Sequence, residues 1–224
     1  MGTIKDTVSK DIQAQKAVGI VEKSEYDQAL SQYNLNITDE EVKAAVTKII
    51  AEKVSENDNL EVKKFLLGSV ELTTLSTTDT EEKVLEMVEK VNRFDSEYPD
   101  LPHVAALCAY PCFTKLMADS LEVDGVDITN VTGNFPSSQT FLEVKTIETA
   151  LAIKDGATHI DIVMPVGKFL SGDYEGVCDT INELKQVCGD VPMKVILETG
   201  DIGNARAIKT ASLLSMYAGA DYIK

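Results

Sequence analysis

The sequence predicts an α/β fold: a (β/α)8 TIM barrel that is truncated after its sixth strand and follows a helical N-terminal extension. From Ser69 onward, short apolar runs alternate with amphipathic helical patterns in units of roughly 30 residues, which is typical of parallel strands joined by crossover helices. No G-x-G-x-x-G motif or P-loop follows a strand, which disfavours the nucleotide-binding open sheets. Several strands carry polar residues suited to an inward position, as in barrels whose catalytic groups come from several strands.

The first of two predicted units, residues 1–65, is a helical extension rich in charged residues, Gln and Ala. The segment Ile37-Thr38-Asp39-Glu40-Glu41 contains a staple residue and a capping box, so a helix is expected to begin there. The apolar residues that follow fall on one helical face: Val42, Ala45, Val46, Ile49, Ile50 and Val54. We interpret the extension as packed on the main domain, and a partner-binding or oligomerising helix is the alternative.

The second unit, residues 66–224, is the partial barrel. Its expected strands are Ser69–Leu75, His103–Tyr110, Asp127–Thr132, His159–Met164, Met193–Thr199 and Asp221–Lys224. Its expected helices are Asp79–Phe94, Phe113–Leu121, Gln139–Lys154, Tyr174–Val187 and Asn204–Tyr217. Thr78 and Glu81 have capping-box spacing at the first helix, and glycines follow three of the later helices. A complete barrel needs roughly 250 residues, so two further strand–helix units are expected beyond this sequence.

Composition excludes several classes of partner. The formal net charge of −16 argues against nucleic acid or an anionic membrane as the main partner. No apolar stretch approaches the length of a membrane span, and the polar start has no signal-peptide core, which predicts a cytoplasmic protein. The four cysteines do not have zinc-site spacing and are interpreted as reduced thiols, mostly core filler. No metal or cofactor is predicted.

Three charged residues in apolar strand runs are the candidate catalytic groups: Asp161, Lys194 and Lys224. Burying such charges is costly unless they are paired or take part in chemistry. An acid between two lysines suits Schiff-base catalysis, because a second ammonium lowers the pKa of the attacking amine. A buried Asp161–Lys194 ion pair that only fixes strand register is the alternative, and it stays open because Lys194 lies early in its run while barrel active sites lie at the carboxyl ends of strands.

The motifs around these residues resemble those of the deoxyribose-phosphate aldolase family. The matching segments are Leu72–Leu75, Leu107–Pro111, Val131–Pro136, Ile160–Val163, Met193–Gly200 and Ala218–Lys224. The resemblance implies a class I aldolase that splits 2-deoxy-D-ribose 5-phosphate reversibly into glyceraldehyde 3-phosphate and acetaldehyde without a metal. It assigns the imine to Lys194 and the proton relay to Asp161 and Lys224.

The same resemblance implies a small phosphorylated sugar or aldehyde as the substrate and Cys108 as a substrate-binding residue, with simple packing as the alternative. Thr73 and Thr199 are further candidates for substrate binding and Thr132 for the pocket wall, although threonine is equally ordinary in strands. The sequence departs from the family at Glu71, where an Asp is usual, and in an apparent insertion at Gly133. The family's phosphate-binding loops follow its last lysine, and this sequence ends at that position.

Two other functions stay open at this point. One is a different lysine-dependent barrel aldolase. The other is a catalytically inactive fragment or interaction module of the same fold, for which unpaired sheet edges predict low solubility or homo-oligomer formation.

Overall fold

The computed structural model describes residues 25–224, and within them one parallel sheet has six strands in sequence order. The strands are β1 (Glu71–Thr73), β2 (Ala106–Ala109), β3 (Asp127–Thr132), β4 (His159–Val163), β5 (Met193–Ile196) and β6 (Tyr222–Ile223). The sheet curls so strongly that Glu71 on β1 contacts Lys224, the residue after β6, with 3.0 Å between Oε2 and Nζ. The sheet is therefore a curled half-barrel, and the predicted truncated barrel is confirmed.

Helices connect each strand to the next. The helices are α1 (Glu25–Leu30), α2 (Asp39–Asn57), α3 (Leu60–Leu67), α4 (Glu81–Glu97), α5 (Thr114–Ser120), α6 (Leu142–Lys154), α7 (Val166–Leu170), α8 (Tyr174–Cys188), α9 (Thr199–Ile202) and α10 (Ala205–Tyr217). The five predicted crossover helices are all present, and the short helices α7 and α9 were not predicted. The cap of α4 was predicted wrongly: Thr80, not Thr78, accepts the hydrogen bond from the Lys83 amide.

The core has an outer layer between the sheet and its helices and an inner layer inside the curl. In the outer layer, side chains such as Ile160, Ile162 and Val195 pack against α8 and α10. The inner layer is a smaller cluster of buried residues: Cys108, Val131, Val163 and Ile196. This division follows the alternation of strand residues, which sends successive side chains to opposite faces.

The N-terminal helices pack only in part. The predicted capping box of α2 is present, with Thr38 accepting from the Glu41 amide and Glu41 accepting from the Thr38 amide. The first turn of α2 is attached to the barrel, because Asp39 accepts a 2.7 Å hydrogen bond from the amide of Ala205. No residue of α2 is buried, however, and its apolar face lies in solvent. The predicted division of the chain near residue 65 stays a prediction.

Two composition-based expectations can be compared with the structure. The four cysteines are free, and only Cys112 is exposed. Within residues 25–224, no helix is both long and apolar enough to cross a membrane.

Candidate active site

Strand register brings the first two candidate catalytic residues side by side. Asp161 on β4 is paired directly with Lys194 on β5. Both side chains point into the curl, because they alternate with outer-layer residues such as Ile160 and Val195. Asp161 and Lys194 therefore face the inside of the curl at the same level of the sheet.

Four side chains form a closed ring of hydrogen-bonded ion pairs, which we call the charge cluster: Glu71, Asp161, Lys194 and Lys224. Lys194 Nζ lies 2.8 Å from Asp161 Oδ1 and 2.9 Å from Glu71 Oε1. Lys224 Nζ lies 2.6 Å from Asp161 Oδ2 and 3.0 Å from Glu71 Oε2. Each carboxylate thus bridges both lysines, and the two positive and two negative charges cancel.

The charge cluster is more buried at Asp161 than at Lys224. The Asp161 side chain is 0% exposed and that of Lys224 is 38% exposed, since Lys224 lies beside the edge strand β6. On the side toward the carboxyl ends of the strands lie the inner-layer residues Val163 and Ile196, each two positions beyond Asp161 or Lys194. Lys194 is the second residue of β5, so the early position noted in the sequence is found in the fold.

The pKa shifts of Glu71, Lys194 and Lys224 favour the ionised forms of these three groups. Burial alone raises the pKa of Glu71, but hydrogen bonds from Lys194, Lys224 and Thr129 outweigh it and lower that pKa to about 2. Burial alone lowers the pKa of Lys194, yet its hydrogen bonds to Asp161 and Glu71 raise the pKa above the ordinary value. The same carboxylates raise the pKa of Lys224.

These directions correct one expectation. The second lysine was expected to depress the pKa of Lys194, but in this arrangement two carboxylates act on the amine and the net shift is upward. The upward shift comes first from the Asp161 carboxylate and then from the Glu71 carboxylate, which reaches the amine from β1 at the far end of the curled sheet.

Polar and sulfur groups line the lumen next to the charge cluster. Cys108 is fully buried, and burial together with Glu71 and Asp161 raises the pKa of its thiol to about 12, so it is uncharged. Thr73 is paired in register with Cys108 and donates its hydroxyl to the Glu71 carbonyl at 3.0 Å, and Thr129 Oγ1 lies 3.5 Å from Lys194 Nζ. A carboxylate oxygen of Glu71, the Cys108 sulfur and a carboxylate oxygen of Asp161 lie within 4.8 Å of one another, but both carboxylates already accept from ammonium groups.

The structure separates two of the threonines from this site. Thr132 faces the helices, where its hydroxyl lies 2.9 Å from that of Thr149 on α6, so its expected place in the pocket wall is wrong. Thr199 begins α9 and is exposed, in a groove that it shares with Ile37 and Asn204. The structure shows no contact of Thr199 with the charge cluster, and its role in substrate binding stays a prediction.

A model of the DeoC/LacD family aldolases matches residues 65–224. The chain belongs to this family. The human deoxyribose-phosphate aldolase is 33% identical over 170 residues, which cover 69% of this chain and 52% of the human protein. The chain thus spans about half the length of this curated relative.

Solved structures agree with the family assignment. A tetrameric deoxyribose phosphate aldolase from Aeropyrum pernix has a TM-score of 0.60 and 28% identity, over 74% of this chain and 66% of that protein. The aldolase QR15 has a TM-score of 0.62 and 28% identity, over 70% of this chain and 66% of its own. The likeness therefore extends over the half-barrel in sequence and in fold.

Two residues of the site were not assigned a role from the sequence. Glu71 was noted only as a departure from a family motif, yet it contacts both lysines of the charge cluster. Thr129 was not noted, although it has the same inward parity on β3 as Val131. That parity is a signal that could have identified it.

Proposed function

We propose that this DeoC/LacD family chain carries the catalytic half of an enzyme that cleaves 2-deoxy-D-ribose 5-phosphate reversibly into D-glyceraldehyde 3-phosphate and acetaldehyde through an imine on Lys194. The observation that carries the proposal is the hydrogen-bonded contact of Lys194 with Asp161, at 2.8 Å, inside the curl. Imine chemistry needs an amine and a proton acceptor at this distance, and the ring supplies both.

The first step is proton transfer from Lys194 to Asp161. The ammonium cannot attack a carbonyl, so it must lose a proton to the carboxylate that it contacts. Lys224 remains bonded to Asp161 through the second carboxylate oxygen and to Glu71, so the site keeps one cation after the transfer. The neutral amine then attacks C1 of the open-chain sugar, and the proton held by Asp161 leaves with the carbinolamine oxygen as water.

The second step is cleavage of the bond between C2 and C3. A base removes the proton of the 3-hydroxyl, C3 becomes the carbonyl carbon of glyceraldehyde 3-phosphate, and the electron pair of the broken bond moves into the protonated imine. The resulting enamine takes a proton at C2, and water releases acetaldehyde and regenerates the Lys194 amine. Asp161, held by Lys224, is the group placed to pass these protons through a bound water.

Cys108 and Thr73 lie beside the charge cluster and would contact the bound sugar. Thr199, at the start of α9, would contact the sugar from that helix. The raised pKa of Lys194 gives the opposite hypothesis a specific basis, because a lysine fixed in an ion-pair ring can also be purely structural.

Trapping of the imine separates these hypotheses. The chain is incubated with acetaldehyde and borohydride, digested and mapped by mass spectrometry, and we expect an ethyl adduct on Lys194. Lys194→Met should lose that adduct, while Lys115→Met, which removes an exposed lysine paired with Asp119, should retain it. Absence of the adduct on Lys194 in the folded wild-type chain would show that this half-barrel is catalytically inactive.

A further inference from the structure

A second buried amine lies outside the charge cluster, on the outer side of the barrel. Lys145 on α6 is only 3% exposed. Its Nζ donates a 2.6 Å hydrogen bond to Ser138 Oγ, and Ser138 Oγ donates a 2.8 Å bond to the carbonyl of Val163. The amine, hydroxyl and carbonyl form a linear chain of hydrogen bonds that ends on β4, two residues beyond Asp161.

Ser138 is held in an unusual conformation for this contact. Its φ of 58° is in the left-handed region, which few residues other than glycine adopt. Such strain persists where the surrounding structure requires it, and it often marks a functional position. Here the strained backbone directs the hydroxyl at the Lys145 amine.

Both groups line a cavity of about 630 Å³ between α6, α7 and the loop that follows β3. Phe141 and Pro165 contribute apolar surface, and Thr180 on α8 contributes a hydroxyl. The cavity is much larger than a two- or three-carbon molecule. A small carbonyl compound therefore has room to reach the amine.

The electrostatic surroundings of Lys145 differ from those of Lys194. In the part of the chain that the structure describes, Lys145 forms no salt bridge, and Ser138 is the hydrogen-bond partner found for its Nζ. Burial and the nearby ammonium of Lys168 on α7 lower the pKa of Lys145 to about 8, and Glu148 on its own helix opposes this only in part. A sizeable fraction of Lys145 is thus neutral near pH 7, which is uncommon for a lysine.

We propose that Lys145 is a second covalent site, which captures small aldehydes as an imine in the cavity that it shares with Ser138. The Nζ lone pair attacks the carbonyl carbon, and the amine proton passes to the new oxygen through the Ser138 hydroxyl, giving a carbinolamine. Loss of that oxygen as water leaves the C=N bond, so one aldehyde is consumed and one water is released. No oxidant, metal or second substrate is needed, and the capture does not depend on chemistry at Lys194.

The test is reductive trapping on the unaltered chain, so no variant has to fold. The chain is exposed briefly at pH 7 to acetaldehyde and cyanoborohydride, and ethylation of each lysine is measured by peptide mapping. A pKa near 8 instead of the ordinary lysine value of 10.5 gives a neutral fraction larger by roughly two orders of magnitude. We expect ethylation of Lys145 to exceed that of exposed Lys115 by at least about tenfold. This ratio is smaller than the ratio of the neutral fractions because the buried amine is less accessible and less basic.

Two variants and one condition sharpen the result. Lys194→Met should leave the Lys145 adduct unchanged, and Ser138→Ala should slow it by about tenfold because the proton relay is lost. Unfolding in urea should reduce ethylation of Lys145 to the level of Lys115. Ethylation of folded Lys145 at or below the level of Lys115 would overturn the inference, even if Lys194 were labelled; a label on Lys145 without one on Lys194 would support it and count against the proposed aldolase activity.

Discussion

Lys224→Met is the perturbation that probes the charge cluster most directly, because it removes one cation and leaves both carboxylates on Lys194. Two ammonium groups that share the same carboxylates lie roughly 5 Å apart, and at an effective dielectric constant of about 20 their repulsion is about 3 kcal/mol. Lys224 is 38% exposed, so solvent screening reduces this figure. If the screened repulsion is about 1.4 kcal/mol, its removal in Lys224→Met raises the pKa of Lys194 by about one unit.

The sign of the effect on reactivity follows from that rise. Imine formation needs neutral Lys194, so its rate should increase with pH up to the pKa of the amine. In Lys224→Met the increase should be displaced upward by about one pH unit, and at pH 7 trapping of acetaldehyde on Lys194 should be about tenfold slower. The assay is the borohydride trapping rate at Lys194, measured by mass spectrometry across pH 6–10.

Lys115→Met is the matched control, since it also removes one positive charge but acts on an exposed pair with Asp119. Its pH profile should overlay that of the wild-type chain. An unchanged or faster trapping rate at pH 7 in Lys224→Met would refute the reasoning, because it would mean that Lys224 does not modulate the charge on Lys194.

Three further predictions concern stability and assembly. The pKa of Glu71 is about 2, against 4.5 unperturbed, so its ionisation should contribute about 2 kcal/mol to the free energy of unfolding above pH 4.5. This contribution should be lost as the pH falls toward 2. Urea unfolding should show the loss in the wild-type chain and a flatter pH dependence in Glu71→Gln. Gly156→Ala should lower the free energy of unfolding, measured by thermal unfolding, by about 2–4 kcal/mol, because a Cβ there would lie 2.7 Å from that of Ala118 at a φ of +113°. The control is Gly125→Ala, which also has a positive φ but meets nothing within 4 Å, and it should lower the free energy of unfolding by only about 1 kcal/mol. The exposed apolar face of α2 predicts self-association, so sedimentation should show a homo-oligomer that Ile49→Glu weakens, and a monomeric wild-type chain would contradict it.

Much of the half-barrel could be predicted because its signals are local. Strand parity alone places Asp161 and Lys194 on one face, and parallel register then makes them neighbours. The capping box at Thr38 fixes the start of α2 in the same way, through residues three positions apart. These features depend on contacts within one strand or helix, or between adjacent strands.

The role of Glu71 could not be predicted in this way because it depends on how far the sheet curls. Glu71 and Lys224 are 153 positions apart, and no strand pairing joins β1 to β6. Only the accumulated curl of six strands brings their side chains into contact. The wrong sign for the pKa of Lys194 has a related origin, since the sequence argument let the second lysine outweigh the Asp161 carboxylate and did not count the added carboxylate of Glu71.

The exposed face of α2 shows a different limit. Its periodicity predicts a helix correctly, but periodicity does not identify what covers the apolar side. In residues 25–224, the chain before α2 packs Leu30 and Leu35 on the core, and the start of α2 is attached through polar contacts such as that of Asp39 with Ala205. A packed extension and an oligomerising helix have the same sequence pattern, so only the contacts can separate them.

The two buried lysines together show what controls amine chemistry in this fold. Burial alone lowers the pKa of both Lys194 and Lys145, so depth in the protein does not distinguish them. The partner atoms do: Lys194 donates to two carboxylates, whereas Lys145 donates to a hydroxyl and has a second ammonium nearby. The raised pKa keeps Lys194 a cation. In the proposed function it becomes a nucleophile when Asp161 takes its proton, which would couple its reactivity to the acid that the later steps need. Among residues 25–224, Lys145 Nζ hydrogen bonds to Ser138 and forms no ion pair, so the inferred capture of an aldehyde there would not be coupled to a carboxylic acid as it is at Lys194.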